Sequence, residues 1–183
     1  FTPTVNKESA AESKESEGTK PSIQDALVVI RQDIRILCLG GVQSLFEAAM
    51  YIFVLQWPPT MNKVVQSAFG ESAITPYGTA FSCFMACCMF GSTMFGLLSK
   101  SMRLELAMVI LLASSTLALI LATFSVGSNE ESDKRSFWQL IAAYFVFEAC
   151  VGIYFPSIGT LRSKYLPDSH RSVIMALFGV PLN

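Results

Sequence analysis

Charge is scarce in this chain of 183 residues. Only 15% of the residues are Asp, Glu, Lys or Arg, whereas a soluble domain carries about a quarter. His170 is the only histidine, and no glycine-rich phosphate loop or nucleophile elbow accompanies it. We therefore expect no enzyme activity, no cofactor and no nucleic-acid partner. What the chain does have is apolar sequence, since 52% of its residues are hydrophobic, which is typical of a membrane protein.

The five cysteines also lack the spacing that metal sites or disulfides need. Cys83 and Cys87 share a helix face, which would suit a soft metal, but no Cys-x-x-Cys pair or nearby histidine accompanies them. Buried free cysteine usually packs as a small hydrophobic residue. We expect packing, with no metal and no disulfide. The complete set is Cys38, Cys83, Cys87, Cys88 and Cys150.

Four apolar segments are long enough to cross a bilayer, which takes about 20 residues. They cover residues 36–57, 77–98, 104–124 and 138–161, and a fifth, 173–183, is cut short. None has the composition of a signal peptide. We therefore expect four complete transmembrane helices and a truncated fifth, embedded in a lipid bilayer.

Two regions precede the first span. Residues 1–22 are rich in Ser, Glu, Lys and Thr, which predicts a disordered cytoplasmic linker. Residues 23–35 have helical hydrophobic spacing behind a capping box formed by Ser22 and Asp25. We interpret them as an amphipathic helix leading into the membrane, with docking on a membrane surface as the alternative.

Basic residues orient the spans by the positive-inside rule. They precede the first span, fill the link after the second and follow the fourth, whereas the opposite side carries fewer. These loops should face the cytoplasm, so the first span runs outward and the fourth inward. The cytoplasmic residues are Arg31, Arg35, Lys100, Arg103, Arg162, Lys164 and Arg171.

One carboxylate lies in the middle of each of two spans, Glu47 in the first and Glu148 in the fourth. Both follow phenylalanine and precede alanine, in helices of opposite predicted direction. Intramembrane carboxylates usually face a bundle interior or an aqueous cavity. We expect the pair to occupy the same depth as mates of an inverted repeat and to serve in transport or coupling. A purely structural, hydrogen-bonded role is the alternative.

Helical spacing places polar and small groups beside each carboxylate. Such faces are typical of a cavity wall or a close helix contact. Pro156 and Gly159 lie near the end of the fourth span, where they could form a gate hinge or a fixed kink. The substrate-pathway candidates are Gln43, Ser44, Tyr51, Tyr154 and Ser157.

Residues 147–167, continued by 169–171, and residues 46–54 closely resemble the molybdate-anion transporter family of the major facilitator superfamily. The resemblance runs from about Ile23 to the last residue. It implies an all-α membrane protein: a major-facilitator-like helical bundle fragment holding the central loop, helices seven to ten and part of eleven. The partner would be the missing N-terminal half. Two departures are Lys100, where an acid is usual, and Gly179, where the family tends to show arginine.

The implied function is a secondary transporter that moves molybdate or a similar oxyanion by alternating access, in the plasma membrane. The alternative is a non-transporting scaffold or receptor-like subunit. No Lys or Arg lies inside a complete predicted span, so cationic anion ligands are expected from missing sequence and only neutral donors from this part. Glu47 and Glu148 suit proton coupling better than anion binding, if desolvation keeps them protonated.

Overall fold

The computed structural model describes residues 23–127 and 133–179, which form six α-helices and no strand. The expected disorder of residues 1–22, the Ser22 cap and the end of the fifth apolar segment lie outside the described residues. The helices are α1 Ile23–Gln32, α2 Ile34–Phe69, α3 Tyr77–Ser101, α4 Leu104–Gly127, α5 Asp133–Tyr165 and α6 Arg171–Gly179.

The amphipathic helix ends earlier than the sequence predicts. Asp33 has an extended backbone, with φ −115° and ψ 107°, and its carboxylate accepts a hydrogen bond from the backbone N–H of Arg35 at 2.8 Å. Aspartate is a favoured residue at this position because it satisfies a free N–H of the first turn. A new helix therefore begins at Ile34, and α1 buries Ala26 and Ile30 against its neighbours α2 and α6.

Helices α2 and α5 are longer than the spans predicted for them. Helix α2 contains Pro58 and Pro59 and continues to Phe69 instead of ending near Trp57. Proline removes a backbone hydrogen bond, but membrane proteins tolerate it where neighbouring helices support the chain. Beyond the prolines, Met61, Val64 and Val65 are buried, which explains why the helix persists.

Four helices, α2 to α5, are long and apolar enough to cross a membrane, in agreement with the number of complete spans predicted. Helix α5 is central, because it makes the most extensive contacts with α3, α4 and α2. Helix α3 is the most peripheral of the four, and large side chains such as Met89 and Phe90 are exposed on it. In lipid such exposed apolar side chains are expected.

The ends of the bundle differ as the charge pattern predicts. At one end Lys164 of α5 pairs with Glu105 of α4, and Arg35 lies over the ring of Tyr165, 6.0 Å from its centroid. At the other end Trp57 contacts Tyr77 edge to face, with centroids 6.0 Å apart. The basic segments before α2, between α3 and α4 and after α5 thus lie at the same end of the bundle, because successive helices run in alternating directions.

Aromatic contacts between α2 and α5 repeat under a shift of 101 positions, the separation of Glu47 and Glu148. Phe46 and Tyr154 have centroids 4.3 Å apart at 32°, and Phe53 and Phe147 have centroids 4.6 Å apart at 40°. Under this shift position 46 corresponds to 147 and position 53 to 154. The contact of Phe46 with Tyr154 is therefore equivalent to the contact of Phe53 with Phe147. This is the relation expected of two helices in an inverted repeat.

The same contacts correct the expectation that Glu47 and Glu148 share one depth. Glu47 follows Phe46, which is level with Tyr154, whereas Glu148 follows Phe147, which is level with Phe53. The levels of the two glutamates are therefore about five residues apart on α2, or roughly 7.5 Å at the rise of an α-helix. If the two-fold axis of the inverted repeat passes between these levels, the two glutamates lie on opposite sides of the axis and not at the same depth.

Glycine allows α3 and α5 to approach closely. A Cβ on Gly91 would collide with the carbonyl oxygen of Ala149, and one on Gly152 would collide with the carbonyl oxygen of Cys88. Small residues are used in this way where membrane helices cross. Gly96, further along α3, has no atom within 4 Å of its hypothetical Cβ, so it takes no part in this contact.

Candidate functional site

Both intramembrane glutamates line one groove between α2, α3 and α5. Its volume is about 750 Å³, within the usual range for a small-molecule site. Most of its wall is apolar or aromatic, so the carboxylates are its main charged groups. The lining residues are Glu47, Met50, Tyr51, Phe53, Val54, Trp57, Phe81, Phe84, Met85, Cys88, Phe147, Glu148, Val151 and Phe155.

A polar cluster surrounds Glu47. The Tyr154 hydroxyl donates to Glu47 Oε1 at 3.2 Å, and the Arg162 guanidinium reaches the same oxygen from Nη2 at 3.4 Å. Arg162 Nε also donates to Gln43 Oε1 at 3.0 Å. Gln43 and Glu47 are one turn apart on α2, and Tyr154 and Arg162 are about two turns apart on α5, so each helix presents two members on one face.

Arg162 corrects the expectation that no cation of these helices lies inside the bundle. The sequence suggested a cytoplasmic loop, but α5 continues to Tyr165 and keeps Arg162 in its last turns. The Arg162 and Glu47 side chains are each only 20% exposed. Lys164 likewise belongs to α5, and Arg171 begins α6 rather than lying in a loop.

The spacing of four polar residues could have revealed this cluster. Gln43 and Glu47 stand four apart, and Tyr154 and Arg162 stand eight apart. The missing information was where the fourth span ends, because a boundary at Leu161 excluded the next residue. Hydropathy marks the edge of an apolar run, whereas the helix itself can continue beyond it.

Glu148 has different surroundings. It is 8% exposed and, among the residues the structure describes, no hydrogen bond or ion pair reaches its carboxylate. Its neighbours in the groove include Cys88 and Phe84. Glu47 is therefore a paired carboxylate and Glu148 an unpaired one, although both line the same cavity.

The predicted pathway donors separate into three groups. Gln43 and Tyr154 belong to the polar cluster around Glu47, and Tyr51 lines the groove with 63% of its surface exposed. Ser44 donates its hydroxyl to the backbone carbonyl of Phe178 on α6 at 2.8 Å. It therefore joins two helices.

Ser157 does not lie on the groove wall in the way the sequence suggested. It is 1% exposed, and its hydroxyl donates to the Ile153 carbonyl at 2.7 Å. That carbonyl lies one turn before Ser157, so the hydroxyl is used within α5. In this conformation the hydroxyl does not point into the groove, and a role for Ser157 as an anion donor stays a prediction.

Helix α5 continues through Pro156 without ending. Hydroxyls reinforce the turn around the proline, because Thr160 donates to the Pro156 carbonyl at 2.8 Å just as Ser157 donates to Ile153. Such bonds from serine and threonine to the carbonyl one turn earlier often bend a helix. Gly159 has open space where a Cβ would project. A hinge at Pro156 and Gly159 stays a prediction.

The remaining candidates lie away from the groove. Lys164 and the Tyr165 hydroxyl both donate to Glu105, and Arg171 pairs with Asp168 at 2.8 Å. Cys83 and Cys87 have no metal-binding partners: the part of the chain that the structure describes holds no group of three His, Cys, Asp or Glu side chains suited to a metal.

Comparison with known proteins gives three kinds of result. A family of the major facilitator superfamily, described as sugar transporters with 12 TM, matches residues 4–142. Proteins named molybdate-anion transporter are similar as well: 33% identity in Xenopus tropicalis over 87% of this chain, 31% in Takifugu rubripes and 34% in Danio rerio, both over 88%. No solved structure matches.

The match covers a limited part of each relative. The chain spans about a third of the length of these proteins, 33% for the first and 32% for the other two. The family match, by contrast, extends over most of this chain, from before α1 into α5. Together with the four membrane-spanning helices, this match shows that the chain belongs to this twelve-helix family of the major facilitator superfamily.

Proposed function

We propose that the protein is a secondary transporter that moves molybdate or a similar small inorganic oxyanion by alternating access. The observation that carries this proposal is the groove between α2, α3 and α5, in which two carboxylates lie inside membrane-spanning helices. Charged groups at this depth are costly and usually mark an ion or substrate pathway. The relatives named molybdate-anion transporter support the choice of substrate.

The family description names sugars, whereas the named relatives transport an anion. The polar cluster favours the anion, because Arg162 supplies a cationic donor suited to binding oxyanions. Sugar recognition would not need this charge. We propose the plasma membrane as the location and the remaining helices of a twelve-helix bundle as the partner of this part.

The test is uptake by the complete protein in liposomes. Molybdate should accumulate above the level in protein-free vesicles and saturate with concentration, and unlabelled molybdate should compete while glucose should not. Competition by glucose alone would favour the family description. Binding of other membrane proteins without any solute uptake would support the alternative of a scaffold or receptor-like subunit and overturn the transporter proposal.

A further inference from the structure

The Arg162–Glu47 pair is the strongest unexplained feature of the described helices. A guanidinium that contacts the interior of a helical bundle requires a reason, because a partly buried charge is destabilising unless it is paired or functional. Its one ionic contact is long, 3.4 Å from Nη2 to Glu47 Oε1, and both side chains keep 20% of their surface exposed. The pair is thus neither tightly closed nor fully sealed from solvent.

The donors around Glu47 match those that an oxyanion would need. Tyr154 and Arg162 both donate to a single oxygen, Oε1 of Glu47. Gln43 accepts from Arg162 Nε through its carbonyl oxygen, which leaves the amide N–H₂ of this side chain available as a further donor. A carboxylate oxygen therefore occupies a position where a phenol and a guanidinium converge, and the Gln43 amide is bonded to the same guanidinium.

We propose that this position is an oxyanion-binding site, in which a small tetrahedral dianion displaces the Glu47 carboxylate from Arg162 during transport. The inference rests on the proposed function and deepens it, since it assigns the cationic ligand to this part of the protein. Glu47 lines the groove, so an anion in the cavity meets the residue that it must replace. The guanidinium fork suits the oxyanion because it can donate two parallel hydrogen bonds.

Competition at Arg162 couples the anion to a proton. While ionised, Glu47 holds Arg162 and repels an incoming dianion, whereas a protonated Glu47 does neither. The described groups that face Glu47 are Tyr154, Arg162 and Glu148 from α5 and Cys88 from α3. On α2 itself they are Gln43 and Tyr51. Among these only Arg162 is cationic, so proton uptake by Glu47 is the direct way to free it.

The test measures molybdate binding to the purified complete protein across a pH series, together with uptake. Arg162→Gln should weaken binding by about tenfold or more, because a charge-assisted contact is lost. Arg162→Lys should recover part of the affinity, since it keeps the charge but not the fork. Glu47→Gln should bind at least as tightly as the unaltered protein, because the carboxylate that competes for Arg162 is gone, and its affinity should vary less with pH.

Two further variants distinguish a loss of molybdate binding from a loss of folding. Arg162→Gln combined with Glu47→Gln removes both charges together, so it leaves no unpaired ion, and it should fold but bind molybdate more weakly than the unaltered protein. Lys164→Gln is the matched control, because this neighbouring cation of α5 pairs with Glu105 outside the groove. It should bind as the unaltered protein does.

The outcomes distinguish this site from the transporter proposal. Molybdate binding of unchanged affinity in the doubly substituted protein overturns the site but leaves transport standing. A pH dependence of affinity as steep in Glu47→Gln as in the unaltered protein overturns the exchange with Glu47. If the unaltered protein binds neither molybdate nor sulfate, the oxyanion function fails and the site fails with it.

Discussion

Two glutamates of one groove have opposite chemical surroundings. Glu47 is held by Tyr154 and Arg162, whereas Glu148 is buried and no described residue pairs with it. A buried carboxylate is costly when ionised and unpaired. Replacing it with an uncharged side chain of similar shape therefore removes a cost, whereas replacing Glu47 leaves a cation without its partner.

We expect Glu148→Gln to keep the protein folded and as stable at pH 7 as the unaltered protein, or more so. If Glu148 carries a proton during transport, the same substitution should flatten the pH dependence of molybdate uptake, because glutamine cannot titrate. The measurements are thermal unfolding in detergent and uptake across a pH series. Glu71→Gln, at an exposed residue between α2 and α3, is the control. An unchanged pH profile in Glu148→Gln would leave Glu148 with a structural role only.

The residues of the site were predictable to different degrees. Glu47 and Glu148 stood out because a carboxylate inside an apolar run is rare, and Tyr154 and Gln43 were selected as neutral donors that could contact an oxyanion. Arg162 did not follow, because hydropathy ended the span one residue too early. Ser157 was misplaced for another reason: its spacing cannot tell whether a hydroxyl faces a cavity or bonds to its own helix.

At the level of the helices, the two glycine contacts determine how closely α3 approaches α5. Gly91 meets the Ala149 carbonyl and Gly152 meets the Cys88 carbonyl, so each helix supplies one glycine and one backbone oxygen. Cys88 and Glu148 lie beside this crossing and also line the groove. The width of the cavity therefore depends on the crossing.

Gly152→Ala should destabilise the protein by roughly 1 to 3 kcal/mol, since an added methyl group must push backbone away from backbone. Gly159→Ala on the same helix is the matched control. No atom lies within 4 Å of its hypothetical Cβ, and alanine is the better helix former. The unfolding temperature in detergent should fall for the first variant and hold or rise for the second. Equal unfolding temperatures would contradict the close contact.

The same control addresses the hinge at Pro156. A Gly159→Ala protein that is stable but transports slowly would indicate that α5 must bend there, and normal uptake would favour a fixed kink. The sequence identified the proline and glycine but could not decide between these roles. The sequence also did not predict the length of α2. Pro58 and Pro59 are typical of a helix end, and only the buried residues that follow them in the structure show why the helix continues.

In the molecule as a whole, the inverted repeat relates two distant segments of the sequence to the way their helices pack. A match of only Phe-Glu-Ala in two spans suggested it, and the paired contacts of Phe46 with Tyr154 and of Phe53 with Phe147 support it independently. The sequence could not give the relative depth of the two glutamates. That depth depends on how α2 and α5 pack against each other, and hydropathy defines the position of a span only to within a few residues.

The orientation of the whole bundle is the last consequence of the charge pattern. With the five native cysteines replaced, a single cysteine at Ser99 or Ser163 should react with a membrane-impermeant maleimide only from the cytoplasmic side. One at Ser72 should react only from the opposite side. The described structure supports this arrangement, because Ser72 lies in the connection between α2 and α3, near the Trp57 and Tyr77 end. Ser99 and Ser163 are near the end where Lys164 meets Glu105.

All three positions are exposed on the protein. A cysteine that fails to react is therefore shielded by the membrane and not by the protein itself. Labelling after detergent permeabilisation is the control and should reach every site. If Ser72 and Ser163 reacted from the same side, α2 and α5 could not run in opposite directions. The inverted repeat that relates Glu47 to Glu148 would then be lost, and with it the reason to regard the two carboxylates as functional mates.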